Sequence, residues 1–242
     1  MKIGVICEGP TDFHAIKLFM EPALAAAEIE ATIFDIHPEM DRTGPEGGWA
    51  KVEAWLKRNP PPARVSRYFD GGMFGTLSAK ACDVLIIQMD ADILDEPGFR
   101  TFMNRTYEFA VPDADDPEQR GAAIYEILTL WSAVNALTET DRRRHIFAPA
   151  VESTEAWCVA AYDRRHTEPE RLRDRKLVQA FMTVLEESEN HPPKGNYSIA
   201  DKDVTRRERF CRRHAVGHTR VAELCPHFNP AVAAIAEADP GL

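Results

Sequence analysis

Apolar runs at four places along the chain predict four β-strands. The runs at residues 3–7 and 84–89 are almost continuously apolar, which is typical of strands buried on both faces of a parallel sheet. Residues 32–36 and 145–151 predict two further strands, and Pro149 makes the last one an edge or interrupted strand. Between these runs, apolar residues recur at helical spacing. The alternation predicts an α/β fold with a mainly parallel sheet flanked by helices.

The same patterns predict how the chain is divided. Residues 1–160 contain all the predicted strands, whereas residues 161–242 contain helical patterns and form either a part packed on the first or one continuous domain with it. Glycine-rich loops are predicted at residues 43–48 and 70–75, and the second lacks a nearby Gly-Lys-Ser/Thr pattern for binding phosphate. The predicted helices are the segment that Thr11 caps and residues 49–56, 98–109, about 121–137, 163–176, 177–185 and 202–214.

Composition bounds the class of protein. With 242 residues and 44% apolar composition, the chain is long enough to bury a substantial core. It has no run of about 20 apolar residues that could span a membrane, and its first residues lack the basic region and cleavage site of a signal peptide. We therefore expect a cytoplasmic protein without a membrane partner. Its five cysteines are scattered mostly among apolar residues, as reduced thiols are: Cys7, Cys82, Cys158, Cys211 and Cys225.

Acidic residues are concentrated in the first part of the chain. The net charge is −10, and residues 1–141 hold 24 Asp and Glu against 12 Lys and Arg, whereas residues 142–242 hold 15 against 17. An acidic protein does not coat nucleic acid by bulk attraction, although a local basic groove can still bind it. The predicted helix at residues 202–214 is the strongest candidate for such a contact, with an ordinary charged helix face as the alternative. Its candidate contact residues are Arg206, Arg207, Arg209 and Arg213.

Carboxylates follow the predicted strands at three places. Glu8 and Asp12 follow the first strand, Asp90 and Asp92 follow the strand at residues 84–89, and Glu155 follows the last strand. Because ligands bind beyond the carboxyl ends of parallel strands, we expect Glu8, Asp12, Asp90 and Asp92 to face one crevice, whereas helix capping alone can explain Glu155. Like charges on one face favour a bound cation such as Mg²⁺ or Mn²⁺. The alternative at each place is a solvated turn or a carboxylate at a positive helix N-terminus.

Two other groups of residues suggest different chemistry. Lys194 lies in a predicted loop at residues 191–197, where it can meet a phosphate, although a surface lysine without a partner is the commoner case. Four residues of zinc-binding types occur near the end of the chain, but their spacing fits none of the familiar zinc-finger patterns: Cys211, His214, His218 and Cys225.

Residues 7–12 and 90–92, each placed after an apolar strand, resemble the motifs of the Toprim domain. This domain is shared by topoisomerases, DnaG-type primases, OLD (overcoming lysogenization defect) nucleases and small RNA-maturation nucleases. It combines a strand-end glutamate before a glycine with an Asp-x-Asp that closes a later strand. The spacing of Glu8 and Asp12 is more similar to the OLD and RNA-maturation branch, and residues 155–157 resemble stand-alone bacterial Toprim-like proteins linked to restriction and phage defence.

The resemblance implies a fold and a set of residue roles. Residues 1–160 would form a Toprim-like, Rossmann-like domain, and residues 161–242 a helical, Arg-rich part. One or two Mg²⁺ or Mn²⁺ ions would be held by Glu8, Asp12, Asp90 and Asp92, with Glu155 as an additional ligand. Glu8 would also act as general base, and Lys194 would offset negative charge in the transition state. The chain shows neither an ATPase domain nor a topoisomerase tyrosine domain, which argues against ATP-gated cleavage by this chain alone and against strand passage.

Two hypotheses of different classes follow. The first is a metal-dependent nuclease that hydrolyses phosphodiester bonds of DNA or RNA and is associated with phage defence. The second is a non-catalytic Toprim-like subunit whose metal is structural while a partner protein, encoded nearby, acts. Phosphoryl or nucleotidyl transfer to a small molecule would use the same metals, but the sequence contains no base-recognition motif for it. Both hypotheses allow a homodimer.

Overall fold

A computed structural model describes residues 1–38, 48–69 and 80–238. The loop predicted at residues 70–75 lies outside the described residues, as does the loop predicted at residues 43–48 except for Gly48. No helix in the described ranges is long and apolar enough to cross a membrane.

Within the described residues, the sheet contains four strands in the order β2-β1-β3-β4, and every pairing is parallel. The strands are β1 (Lys2–Ile6), β2 (Thr32–His37), β3 (Val84–Ile87) and β4 (His145–Phe147). Parallel hydrogen bonding continues beyond β4, because the amide of Ala150 donates to the carbonyl of Met89 and the amide of Ala91 donates to the carbonyl of Ala150. The predicted α/β fold with a parallel sheet flanked by helices is confirmed.

Helices connect the strands and make up the last third of the chain. Their bounds are α1 (Pro10–Ala26), α2 (Trp49–Arg58), α3 (Pro61–Arg64), α4 (Pro97–Tyr107), α5 (Pro117–Ser132), α6 (Glu139–Arg143), α7 (Thr154–Tyr162), α8 (Asp174–Ser188), α9 (Val204–Arg213), α10 (His218–Leu224) and α11 (Phe228–Glu237). A π-helical turn spans Val65–Phe69, and 3₁₀ turns span Asp92–Asp95, Val134–Ala136, Pro169–Arg171 and Ala215–Gly217.

Two predicted helices differ most from the structure. The helix predicted at about 121–137 begins earlier, because Pro117 suits the first helical turn and Asp116 caps it by accepting the amide of Gln119 at 3.0 Å. It ends at Ser132, where Ala133 adopts a left-handed conformation. The charged segment predicted as helical at residues 163–176 contains a 3₁₀ turn and only the start of α8. Its proline at position 169 and its few apolar residues give a longer helix no packed face.

Each face of the sheet is covered by its own hydrophobic core. Side chains alternate along a strand, so Val5 points into one core and Ile6 into the other. The first core joins β1 and α1 to helices from the last third of the chain, through residues such as Phe181 and Phe228. Residues 161–238 therefore share a core with the N-terminal strand and helix. A Cβ at Gly4 in β1 would lie 2.2 Å from the Ile36 side chain, so a larger residue there would require Ile36 to move.

Candidate metal centre

Three carboxylates from distant parts of the sequence converge at the carboxyl end of the sheet. Asp12 lies in the first turn of α1, Asp90 follows β3, and Glu155 lies in the first turn of α7. One oxygen from each of these side chains lies within 4.8 Å of the others. The parallel connections bring them together, since β1 and β3 are neighbours that end at the same edge. All three side chains are at most 8% exposed.

Protein donors hold one oxygen of Asp12 and one of Asp90. The Thr154 hydroxyl donates to Asp12 Oδ1 at 2.7 Å, and the Gln88 side-chain amide donates to Asp90 Oδ1 at 2.7 Å. These contacts fix the orientation of both carboxylates. They leave Oδ2 of each carboxylate outside those two hydrogen bonds.

In Glu155 too, the basic side chains contact only one of the two carboxylate oxygens. Arg207 Nη2 donates to Glu155 Oε1 at 2.5 Å, and Lys202 Nζ lies 3.5 Å from the same oxygen. Among the described residues, no donor lies in hydrogen-bonding geometry with the buried Oε2, although the Ser153 side chain is close enough to help lower the pKa of Glu155. A buried carboxylate oxygen without a donor is costly unless a cation contacts it, so this oxygen is suited to metal binding.

Glu8 adjoins the three converging carboxylates without belonging to the group that lies within 4.8 Å. Its Oε1 accepts a hydrogen bond from the backbone amide of Asp90 at 2.8 Å, which connects the segment that follows β1 to the segment that follows β3. Asp92 begins a 3₁₀ turn and is exposed to solvent, and its amide donates to the carbonyl of Glu152 at 2.9 Å. The structure thus brings together Asp12, Asp90 and Glu155, with Glu8 and Asp92 at the margin of the group.

Burial, reinforced by the crowding of like charges, raises most of the pKa values at this centre. Burial raises the pKa of Glu8 to about 8, with a further contribution from Asp12 and Asp92 and an opposing one from the Asp90 amide. Burial and the charge of Glu155 raise the pKa of Asp12, and burial with Asp12 and Glu8 raises the pKa of Asp90 well above its ordinary value. Although Asp92 keeps contact with solvent, the surrounding protein reduces its hydration and, together with the charges of Glu155 and Glu152, raises its pKa to about 7. Without a cation, the centre therefore retains protons near neutral pH.

Glu155 behaves in the opposite way. Burial alone would raise its pKa, but Arg207 and Lys202 outweigh burial and hold the pKa of Glu155 well below its ordinary value. The N-terminal ends of α1 and α7 add positive potential near Asp12 and Glu155, which lie in the first turns of those helices. One carboxylate at the centre is therefore permanently charged.

A second buried charge cluster supports the loops that carry the acidic residues. Arg120 is 1% exposed, and its Nε lies 2.7 Å from Glu152 Oε1 while its Nη2 donates to the carbonyl of Ala91 at 2.6 Å. Arg173 lies 3.3 Å from both Glu152 and Asp95. Because Ala91 separates Asp90 from Asp92 and Glu152 precedes α7, this cluster connects the loop after β3 to the loop before α7.

No known family model, curated protein or solved structure matches this chain.

The predicted basic residues lie in different settings. Arg207 is 1% exposed and paired with Glu155, so burial corrects its predicted role as a nucleic-acid contact. Arg206 pairs with Glu189 and Asp201, and Arg213 donates to the carbonyl of Ser188. Arg209 is exposed on α9.

Lys194 is also exposed, and its ion-pair partner is Glu186 at 3.7 Å. The lysine that contacts a carboxylate of the centre is instead Lys202, whose side chain is 69% exposed.

The four zinc-type residues take part in separate contacts. Cys211 Sγ lies 3.8 Å from Cys158 Sγ, whereas the ring of His214 packs against Tyr162 at 4.9 Å between centroids. Within residues 1–38, 48–69 and 80–238, the acidic group at Asp12, Asp90 and Glu155 is the one set of metal-binding side chains that converges.

Sequence reasoning overlooked the residues that orient the carboxylates. Gln88 carried a usable signal, since it is the single polar residue in the apolar run at residues 84–89 and is fully buried. Thr154 and Lys202 carried none, because a cap-type residue and a surface lysine are common and their contacts depend on how α7 and α9 pack.

Proposed function

We propose that this protein is a metal-dependent nuclease that hydrolyses phosphodiester bonds of DNA or RNA. The observation that carries the proposal is the convergence of Asp12, Asp90 and Glu155, with a buried oxygen of Glu155 free of hydrogen bonds. Mg²⁺ and Mn²⁺ prefer such hard oxygen ligands, and a divalent charge compensates the repulsion between the three carboxylates. The Toprim resemblance and the link to phage defence belong to this proposal.

Each residue has a defined part in the proposed reaction. Asp12, Asp90 and Glu155 would hold the ion, which would stabilise charge on the phosphodiester and lower the pKa of a bound water. Glu8, beside Asp90, accepts a proton from the attacking water when it is ionised. Lys202 extends from the centre into solvent and is better placed than Lys194 to meet a phosphate, because it contacts Glu155.

The test is cleavage by purified protein, first freed of metal with EDTA and then supplied with Mg²⁺ or Mn²⁺. Supercoiled DNA, single-stranded DNA and tRNA cover the main substrate classes. We expect cleavage of at least one of them and its loss in Asp12→Asn and Asp90→Asn, with folding checked by circular dichroism. Metal-dependent cleavage that persists in both variants would exclude this site as the catalytic centre.

A second candidate function is a binding subunit that holds its metal structurally while a partner protein performs the reaction. The deep burial of the three carboxylates favours it, since each is 3–8% exposed. Inactivity of the isolated protein on all three substrates, together with activity in the presence of a neighbouring gene's product, would support this candidate.

A further inference from the structure

Arg207 connects three helices at the candidate metal centre. From α9 its guanidinium donates through Nη2 to Glu155 Oε1 at 2.5 Å and through Nη1 to the Thr154 hydroxyl at 3.3 Å, both on α7. The Thr154 hydroxyl in turn donates to Asp12 Oδ1 on α1 at 2.7 Å. Arg207 and Thr154 are 1% and 0% exposed. A continuous chain of hydrogen bonds therefore runs from Arg207 to two of the three carboxylates.

The donor and acceptor properties of these groups fix the direction of both hydrogen bonds that Thr154 makes. A guanidinium only donates, so the Thr154 oxygen accepts from Arg207 and has its one proton left to donate to Asp12. The guanidinium plane is itself restrained, because it lies 4.4 Å above the centre of the Phe181 ring. Rotation of Asp12 or Glu155 away from the centre would break a buried hydrogen bond in each case.

We infer that Arg207 and Thr154 are positioning residues of the metal centre, which orient Glu155 and Asp12 so that their remaining oxygens face one ion. This inference rests on the proposed function, because it requires a metal at these carboxylates. Groups that hydrogen-bond to metal ligands typically affect metal affinity by about 10–100-fold. We expect an effect of that size on Mn²⁺ binding when the chain of hydrogen bonds is interrupted.

Thr154→Val tests the positioning role of the hydroxyl without changing the net charge or, to a good approximation, the packing. Valine has nearly the same shape as threonine and leaves the net charge unchanged, but it cannot donate to Asp12 or accept from Arg207. Thr154→Ser retains the hydroxyl and serves as the rescuing variant. Thr183→Val is the matched control, because the Thr183 hydroxyl donates to a carbonyl of its own helix, α8, at 2.7 Å.

Arg207→Lys tests the geometry of the guanidinium while keeping its positive charge. A lysine ammonium cannot reproduce the planar pair of donors that reaches Thr154 and Glu155 together. We expect Arg207→Lys to weaken Mn²⁺ binding although the charge beside Glu155 is retained.

In the experiment, metal-free protein is titrated with Mn²⁺. Calorimetry measures the affinity, and electron paramagnetic resonance measures the spectrum of the bound ion. We expect Thr154→Val to raise the Kd for Mn²⁺ by about 10-fold or more and to change the spectrum of bound Mn²⁺, while Thr154→Ser and Thr183→Val resemble the wild type. If the wild type binds Mn²⁺ and Thr154→Val binds it with the same affinity and the same spectrum, the positioning role of Arg207 and Thr154 is wrong while the metal centre stands. Failure of the wild type to bind Mn²⁺ would overturn the metal centre and the inference with it.

Discussion

Replacing Asp90 with Asn should make the metal-free protein more stable while removing its response to metal. Asp90 contributes to a group of three carboxylates whose oxygens lie within 4.8 Å of one another. The amide of Asn can keep the hydrogen bond that Gln88 donates to Oδ1, so the change mainly removes negative charge. The variant therefore separates electrostatic repulsion from packing.

The magnitude follows from the geometry. Two ionised carboxylates 4.8 Å apart repel by about 3.5 kcal/mol at an effective dielectric constant of about 20. Proton uptake relieves part of this repulsion, because the pKa of Asp90 is raised by burial and by the charges of Asp12 and Glu8. We therefore expect a gain of about 2 kcal/mol near pH 8, or about 4–8 °C in Tm for a protein of this size.

The assay is thermal unfolding of wild type and Asp90→Asn in EDTA and in Mn²⁺. Wild type at an ion concentration of about 100 times Kd should gain about 2.7 kcal/mol, whereas the variant should gain little. The order of the two Tm values should thus reverse on adding Mn²⁺. Asp113→Asn is the control, since that side chain is 93% exposed and its change should stay within about 0.5 kcal/mol. A variant that is less stable than wild type in EDTA, or that keeps the full Mn²⁺ shift, would refute the reasoning.

Three further predictions concern pH, the supporting charge cluster and the lysine at the centre. The pKa of Glu8 is about 8 in the folded protein and near 4.5 when unfolded, so the unfolding free energy of the metal-free protein should fall between about pH 5 and 8 by up to about 1.4 kcal/mol per pH unit. In Glu8→Gln, the unfolding free energy measured with urea should change less steeply with pH. Arg120→Met should destabilise the protein by about 3–5 kcal/mol in urea unfolding, because Glu152 loses a buried ion-pair partner. Lys202→Ala should lower kcat in a cleavage assay while leaving Tm within about 1 °C, and Lys194→Ala should leave kcat unchanged; equal losses in both variants would contradict the assigned position of Lys202.

Much of the fold could be predicted because it depends on local patterns. Apolar runs identified β1 and β3, and the parallel sheet follows from strands that alternate with helices. The site was partly predictable for the same reason, since carboxylates placed after parallel strands meet at one edge of the sheet. Asp12 and Asp90 converge as that rule implies.

Helix packing decided which acidic and basic side chains meet at the centre. Glu155 joins the centre and Asp92 lies at its margin, although both are acidic residues close to strand ends. The sequence by itself determined a parallel α/β sheet with acidic residues beyond its strands, because hydrophobic periodicity and the alternation of strands with helices are local properties of the chain. Only the tertiary structure decided that Arg207 is buried against Glu155 and that Lys202 contacts the same carboxylate. The physical reason is that these contacts depend on how α9 and the residues before it pack against α7. Arg207 and Lys202 are 52 and 47 positions from Glu155 in the sequence, so no local pattern specifies their pairing.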